Sequence, residues 1–249
     1  MNIDCKYSFY PTDESLSWTP ADSELIFKKN LKKYPDNKTL KYYLKNPIEY
    51  KFNNYGFRTP DDFNEEDEGN VFIGDSNTMG IGHHLENTWS YKLNNDIGGK
   101  FWNLSQGGCG NQTDYRLLYG WKDTLKIKNI FHFSINYSRF EFFHNGEFVH
   151  LSPLDTLVEK NIPTERFYVE VLSDNEYLDF IQDTYINAIK GLAKDIGCNY
   201  YYLKYDILDW KYNSSNDFVD DSIGARDLVH HTTYVQNFIY EKFKELYVK

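Results

Sequence analysis

Residues 69–82 read GNVFIGDSNTMGIG, and the rest of the chain is best read outward from them. Val71, Phe72 and Ile73 make a short apolar run suited to a buried strand. The run stops at Gly74-Asp75-Ser76-Asn77-Thr78-Met79-Gly80, which is dense in turn formers. Beyond it Leu85, Trp89 and Leu93 recur at helical spacing. A strand, a turn of small residues and a helix lift a side chain to the carboxyl edge of a sheet, where open α/β folds bind ligands. On such a turn Ser76 can hold its hydroxyl in the cleft and its own amide toward an incoming oxygen. The plainer role of Asp75 and Ser76 is to cap the helix that follows.

The same unit recurs downstream. Residues 100–105 (KFWNLS) read as a second strand, ending in the glycine-rich turn Gln106-Gly107-Gly108-Cys109-Gly110. Residues 112–121 follow with Tyr115, Leu118 and Trp121 at helical spacing. Residues 127–135 (IKNIFHFSI) are the third strand, with Asn136 at its carboxyl end. Residues 175–196 are the most periodic helix, through Leu178, Ile181, Tyr185, Ile189 and Leu192, and Gly197 ends it. Residues 198–203 (CNYYYL) are a fourth parallel strand, a polar loop spans 209–229, and a last helix covers about 232–247. This rhythm predicts an α/β fold, a parallel sheet with helices on its faces. Residues 138–174 interrupt it. There Asn145-Gly146 between two aromatic runs signals a β-hairpin, an insertion placed where it could cover the cleft.

Residues 1–68 form an N-terminal extension ahead of a core domain over 69–249. A helix is expected over 23–34, capped by Ser23 and striped by Leu25, Ile26, Phe27 and Leu31. Residues 48–57 (IEYKFNNYGF) alternate and read as a hairpin or edge strand, and 61–68 (DDFNEEDE) as an acidic surface loop.

Composition narrows the function. The 249 residues carry 27 Lys and Arg against 37 Asp and Glu, a net charge of −10. That argues against a nucleic-acid partner, which needs a basic stripe, and against an anionic membrane surface. No apolar run is long enough for a membrane span, and the N-terminus lacks a signal-peptide pattern, so a cytoplasmic location is the default. Cys5, Cys109 and Cys198 form neither a disulfide framework nor a metal site. The 22 Tyr suit half-buried positions that line a sugar-binding groove, or reflect AT-rich coding.

The loop before the last helix reads Gly224-Ala225-Arg226-Asp227-Leu228-Val229-His230-His231. An Asp three residues before a His can orient that imidazole, leaving the other ring nitrogen for a serine proton. Other candidates carry less. His83-His84 lack a third ligand at metal spacing and read as an exposed helix start. Cys109 reads as a packed thiol, and Arg139 and Glu141 as a surface pair along one strand. The glycine-rich turns lack the P-loop Lys-Ser/Thr and the Rossmann spacing, so no cofactor is expected.

With these residues in place, the sequence resembles the SGNH (GDSL-type) hydrolases. Gly74-Asp75-Ser76-Asn77-Thr78-Met79-Gly80 matches the first block, G-D-S-x-T-x-G, and Asn103-Leu104-Ser105-Gln106-Gly107-Gly108 the second. Ser134-Ile135-Asn136-Tyr137 stands at the third without its usual Gly and Asp. Asp227 and His230 fit the last, with His231 where a Pro often follows. Residues 137–141 (YSRFE) also resemble a pattern of often viral members, which raises virion association. The resemblance covers about 69–249. It implies a flavodoxin-like three-layer α/β/α sandwich and a serine esterase, with Ser76, His230 and Asp227 as the triad and Gly108 and Asn136 serving the oxyanion. The substrate class is a small ester or O-acetylated carbohydrate. The alternative is a silent SGNH-fold module that binds glycans or builds a virion. The oligomeric state is open.

Overall fold

The computed structural model describes residues 4–134, 139–151, 175–208 and 223–248. Four strands form one parallel sheet: β3 (Glu68–Gly74), β4 (Lys100–Asn103), β5 (Lys126–Ser134) and β8 (Asn199–Lys204). Their order is β4-β3-β5-β8, all neighbours parallel. Counted within the sheet this is 2-1-3-4, the flavodoxin-like order, which places the topological switch point between β3 and β5.

Strand alternation divides the core into two layers. Val71 and Ile73 of β3, Trp102 of β4 and Ile130 of β5 face one side. There they pack on α5 (Asn111–Trp121) through Leu117, Leu118 and Trp121, and on α6 (Asn175–Ile196) through Ile189, Leu192 and Ala193. Phe72, Phe101, Phe131 and Phe133 face the other side, against Trp89 and Leu93 of α4 (Trp89–Ile97) and Val235, Ile239 and Phe243 of α7 (Thr233–Val248). The molecule is therefore an α/β fold with helices on both faces of a parallel sheet, a three-layer α/β/α sandwich.

The region after β3 differs from expectation. The helix does not run through Leu85. A four-residue helix, α3 (Ser76–Met79), starts directly at Ser76, and Leu85 lies in a short 3₁₀ turn. Gly80 and Gly82, at φ of +82° and +80°, break the path. Thr88 then caps α4 by accepting from the Tyr91 N–H.

The hairpin forms where Asn145-Gly146 places it, as β6 (Phe140–His144) paired antiparallel with β7 (Glu147–Leu151). Both turn residues have positive φ, as a two-residue hairpin turn of this kind requires.

The N-terminal segment holds α1 (Glu24–Lys33), capped by Ser23, and an unexpected α2 (Lys38–Lys45), capped by Asn37. Residues 48–57 do not form a hairpin of their own. Instead β2 (Tyr50–Lys51) pairs with β1 (Ser15–Leu16). Phe27, Leu40, Tyr43, Tyr50 and Phe52 pack on Met79 and Ile81, just past Ser76, and on Leu228 of the histidine loop. The segment thus lies against the loops at the carboxyl edge of the sheet.

Candidate active site

Ser76 follows the carboxyl end of β3, at the switch point. Gly74 makes the approach feasible. It sits at φ +145°, where a Cβ would lie 2.7 Å from the Phe133 carbonyl oxygen and 2.3 Å from Thr78 Oγ1. Asp75 then caps α3: its Oδ1 accepts from the Asn77 N–H at 2.9 Å. The capping role and the placing of Ser76 are therefore one geometry. Gly108 lies on the neighbouring turn at φ +78°, with open space around it. Among the described residues, no acceptor takes the backbone N–H of Ser76 or of Gly108.

Asp227 and His230 are brought together. His230 Nδ1 and Asp227 Oδ2 share a short hydrogen bond, and the Val229 and His230 N–H groups donate to Asp227 Oδ1 at 2.9 and 3.1 Å. Burial works against the Asp227 carboxylate. The charge and hydrogen bond of His230, with those two amides, nevertheless hold its pKa below the ordinary value. Burial likewise opposes a charged His230, yet Asp227 lifts its pKa above that of a free histidine. Asp75 adds to the rise and Arg139 subtracts from it, so His230 lies within electrostatic reach of the neighbour of Ser76.

Contacts from the histidine loop and α7 to the segment around Ser76 set this arrangement. The Arg226 N–H donates to the Gly82 carbonyl at 2.9 Å, and Gln236 Nε2 to the Asn77 carbonyl at 3.1 Å. His83 contradicts the expectation of an exposed helix start. It is fully buried, and its Nε2 meets the His231 carbonyl at 2.6 Å. Burial first of all pushes its pKa down to about 4, so it bridges the two loops as a neutral ring.

No direct hydrogen bond joins Ser76 Oγ to His230, and none among the described residues occupies His230 Nε2. Asn136 lies outside the described residues. Cys109 is a packed thiol: it is buried, its Sγ contacts the Gly74 carbonyl at 3.3 Å, and burial chiefly raises its pKa.

Sequence reasoning missed two contributions. Arg139 and Glu141 are not partners of each other. Arg139 Nη1 binds Asp75 Oδ2 at 2.7 Å, while Glu141 pairs with the buried Arg116 at 2.7 Å and with His150 at 3.0 Å. Arg139 lies just before β6 and Glu141 within it, and each meets a distant partner. The second contribution is the N-terminal segment. Buried Arg58 donates to the carbonyls of Met79, Gly80 and His83 at 3.1, 2.6 and 2.8 Å. Tyr50 OH accepts from the Gly82 N–H at 2.8 Å and donates to Asp22 Oδ2 at 2.5 Å. Asp22 grips Arg226 at 2.7 Å, and Asn30 Nδ2 donates to the Asp227 carbonyl at 3.0 Å. Gln106, before Gly108, accepts from the Phe9 N–H at 3.1 Å.

No family model matches the chain, and no curated protein does. Among solved structures, the chain is similar to a carbohydrate esterase family 2 enzyme with its carbohydrate-binding domain, from Corynascus thermopiles (Myceliophthora fergusii). The identity is 13%, over 60% of this chain and 60% of that one, with a TM-score of 0.27. The chain thus spans less than two thirds of that enzyme's length. A likeness of that size carries no argument about chemistry, which rests on the geometry above.

Proposed function

We propose that the protein is a serine ester hydrolase acting on small acyl esters, with O-acetylated carbohydrate as its substrate class. The observation that carries this is the Asp227–His230 pair, held on a loop hydrogen bonded to Gly82 and His83, a few residues past Ser76. An acyl transfer needs a nucleophile, a base, an orienting group and donors for the developing oxyanion. Ser76 Oγ attacks the acyl carbon while neutral His230 accepts its proton at Nε2. Asp227 holds the Nδ1–H and stabilises the imidazolium. The unclaimed N–H groups of Ser76 and Gly108, with the Asn136 side chain, receive the negative oxygen. His230 then protonates the leaving alcohol, and water releases the acyl group by the same steps in reverse. The serine–histidine hydrogen bond is often long before substrate arrives and closes in the reacting complex.

The test is hydrolysis of p-nitrophenyl acetate by the wild-type chain and by Ser76→Ala. The variant should lose on the order of a thousandfold or more in kcat. Wild-type rates no faster than buffer would leave the chain a binding module instead.

A further inference from the structure

Asp75 is 3% exposed and stands immediately before Ser76, within electrostatic reach of His230. A second carboxylate so close to the base has a cost. It favours the imidazolium and so withholds the neutral ring that accepts a proton. The chain answers this with a cation brought from outside the sheet. Arg139, at the start of the hairpin, sets its Nη1 2.7 Å from Asp75 Oδ2 and 3.5 Å from the Cys109 carbonyl. Its own carbonyl is held by Gln182 Nε2 of α6 at 3.3 Å, so the guanidinium reaches the cleft from a fixed backbone.

We propose that Arg139 is a positioning residue of the Ser76 turn: it supplies the counter-charge to Asp75 and fixes the carboxylate that caps α3. The hairpin thereby becomes part of the catalytic apparatus. The inference rests on the assignment of Ser76 and His230 given above. The charged and titratable groups that reach His230 come from four elements: Asp227 from its own loop, Asp75 from the turn after β3, His83 from the segment after α3, and Arg139 from the hairpin. Asp227 and Asp75 favour the imidazolium, while Arg139 disfavours it. Loss of Arg139 leaves Asp75 uncompensated, so the base should be protonated up to a higher pH.

The experiment is an NMR titration of the His230 imidazole, assigned by its absence from His230→Gln. It covers wild type, Arg139→Gln, Arg139→Lys, Asp75→Asn and the Asp75→Asn/Arg139→Gln double variant. Arg139→Gln should raise the His230 midpoint by on the order of one pH unit, as for loss of one nearby charge. Arg139→Lys should stay near wild type. Asp75→Asn should lower the midpoint, and the double variant should return toward wild type. The acidic limb of kcat/KM for p-nitrophenyl acetate should move in step. Because the titration needs no turnover, an inactive wild type would sink the esterase reading while the midpoints still decide the role of Arg139. Should Arg139→Gln fail to fold, Asp75→Asn and the double variant carry the same comparison, since Arg139 is missing only from the second. Equal midpoints in those two, or an unchanged midpoint in Arg139→Gln with only a lower Tm, would overturn the proposal.

Discussion

Asp22→Asn should be among the most damaging single changes in the N-terminal segment, although residue 22 is far from Ser76 in sequence. Asp22 accepts from Arg226 Nε at 2.9 and 3.1 Å and from Nη2 at 2.7 Å. Arg226 also donates to the Ser17 carbonyl at 2.6 Å and lies 3.8 Å over the Trp18 ring. Both side chains are essentially without solvent contact, at 2% and 0% exposure. The amide keeps the shape but leaves a buried guanidinium without its counter-charge, which costs about 3–5 kcal/mol. For a chain of this size each kcal/mol shifts Tm by roughly 2–4 °C, so the fall should be roughly 6–20 °C. The Asp22→Leu/Arg226→Met double variant removes both charges of the pair and should recover much of that stability. Its kcat should stay low, because the neighbour of Asp227 has lost its anchor. Urea unfolding and p-nitrophenyl acetate turnover on the same preparations read the two effects separately. A stability loss under about 1 kcal/mol in Asp22→Asn would refute the buried-pair argument. Full recovery of kcat in the double variant would refute the anchoring role.

Since the His230 pKa is raised, kcat/KM should climb with pH through the region above about 6.5, the free-histidine value, and then level off. A flat profile from about pH 5 to 9 would remove His230 as the base. The stability signs follow the same shifts. The contribution of His230 is full below its unfolded pKa of about 6.5 and is lost as pH rises through the raised folded value. That of Asp227 is full above about 3.9 and is lost as pH falls through its depressed value. Tm should therefore decline above about pH 6.5 in wild type and more weakly in Asp227→Asn, as differential scanning calorimetry across pH would show. Asn136→Ala should lower kcat by about 10²–10³ with KM nearly unchanged, the effect of losing one oxyanion donor. Near-normal turnover with a lowered urea midpoint would instead make Asn136 a turn residue.

What could be read in the chain follows from where each signal is local. Val71, Phe72 and Ile73 announce a strand buried on both faces, and the structure assigns them alternately to the two helical layers. Asn145-Gly146 dictates its own turn, and the stripe of α6 ends at Gly197, whose φ is +80°. Asp227 and His230 are three residues apart, so their pairing lies in one loop. The N-terminal segment was opaque for the opposite reason. Asp22, Thr39 and Arg58 look like surface residues until their partners are known, and those partners are Arg226, the Gly224 N–H and three carbonyls beyond Ser76. His83 was misread likewise, because only the fold brings the His231 carbonyl to it. Pattern reports which face of an element is apolar, but it is silent on which buried polar group meets which across many residues.

The most direct measurement is covalent labelling by a fluorophosphonate, read by intact mass and peptide mapping on wild type, Ser76→Ala and His230→Gln. A nucleophilic serine served by His230 should give a single adduct on Ser76, absent from Ser76→Ala and formed far more slowly in His230→Gln. A wild-type chain that stays unlabelled at Ser76, or a Ser76→Ala chain that is labelled as readily, would contradict the account.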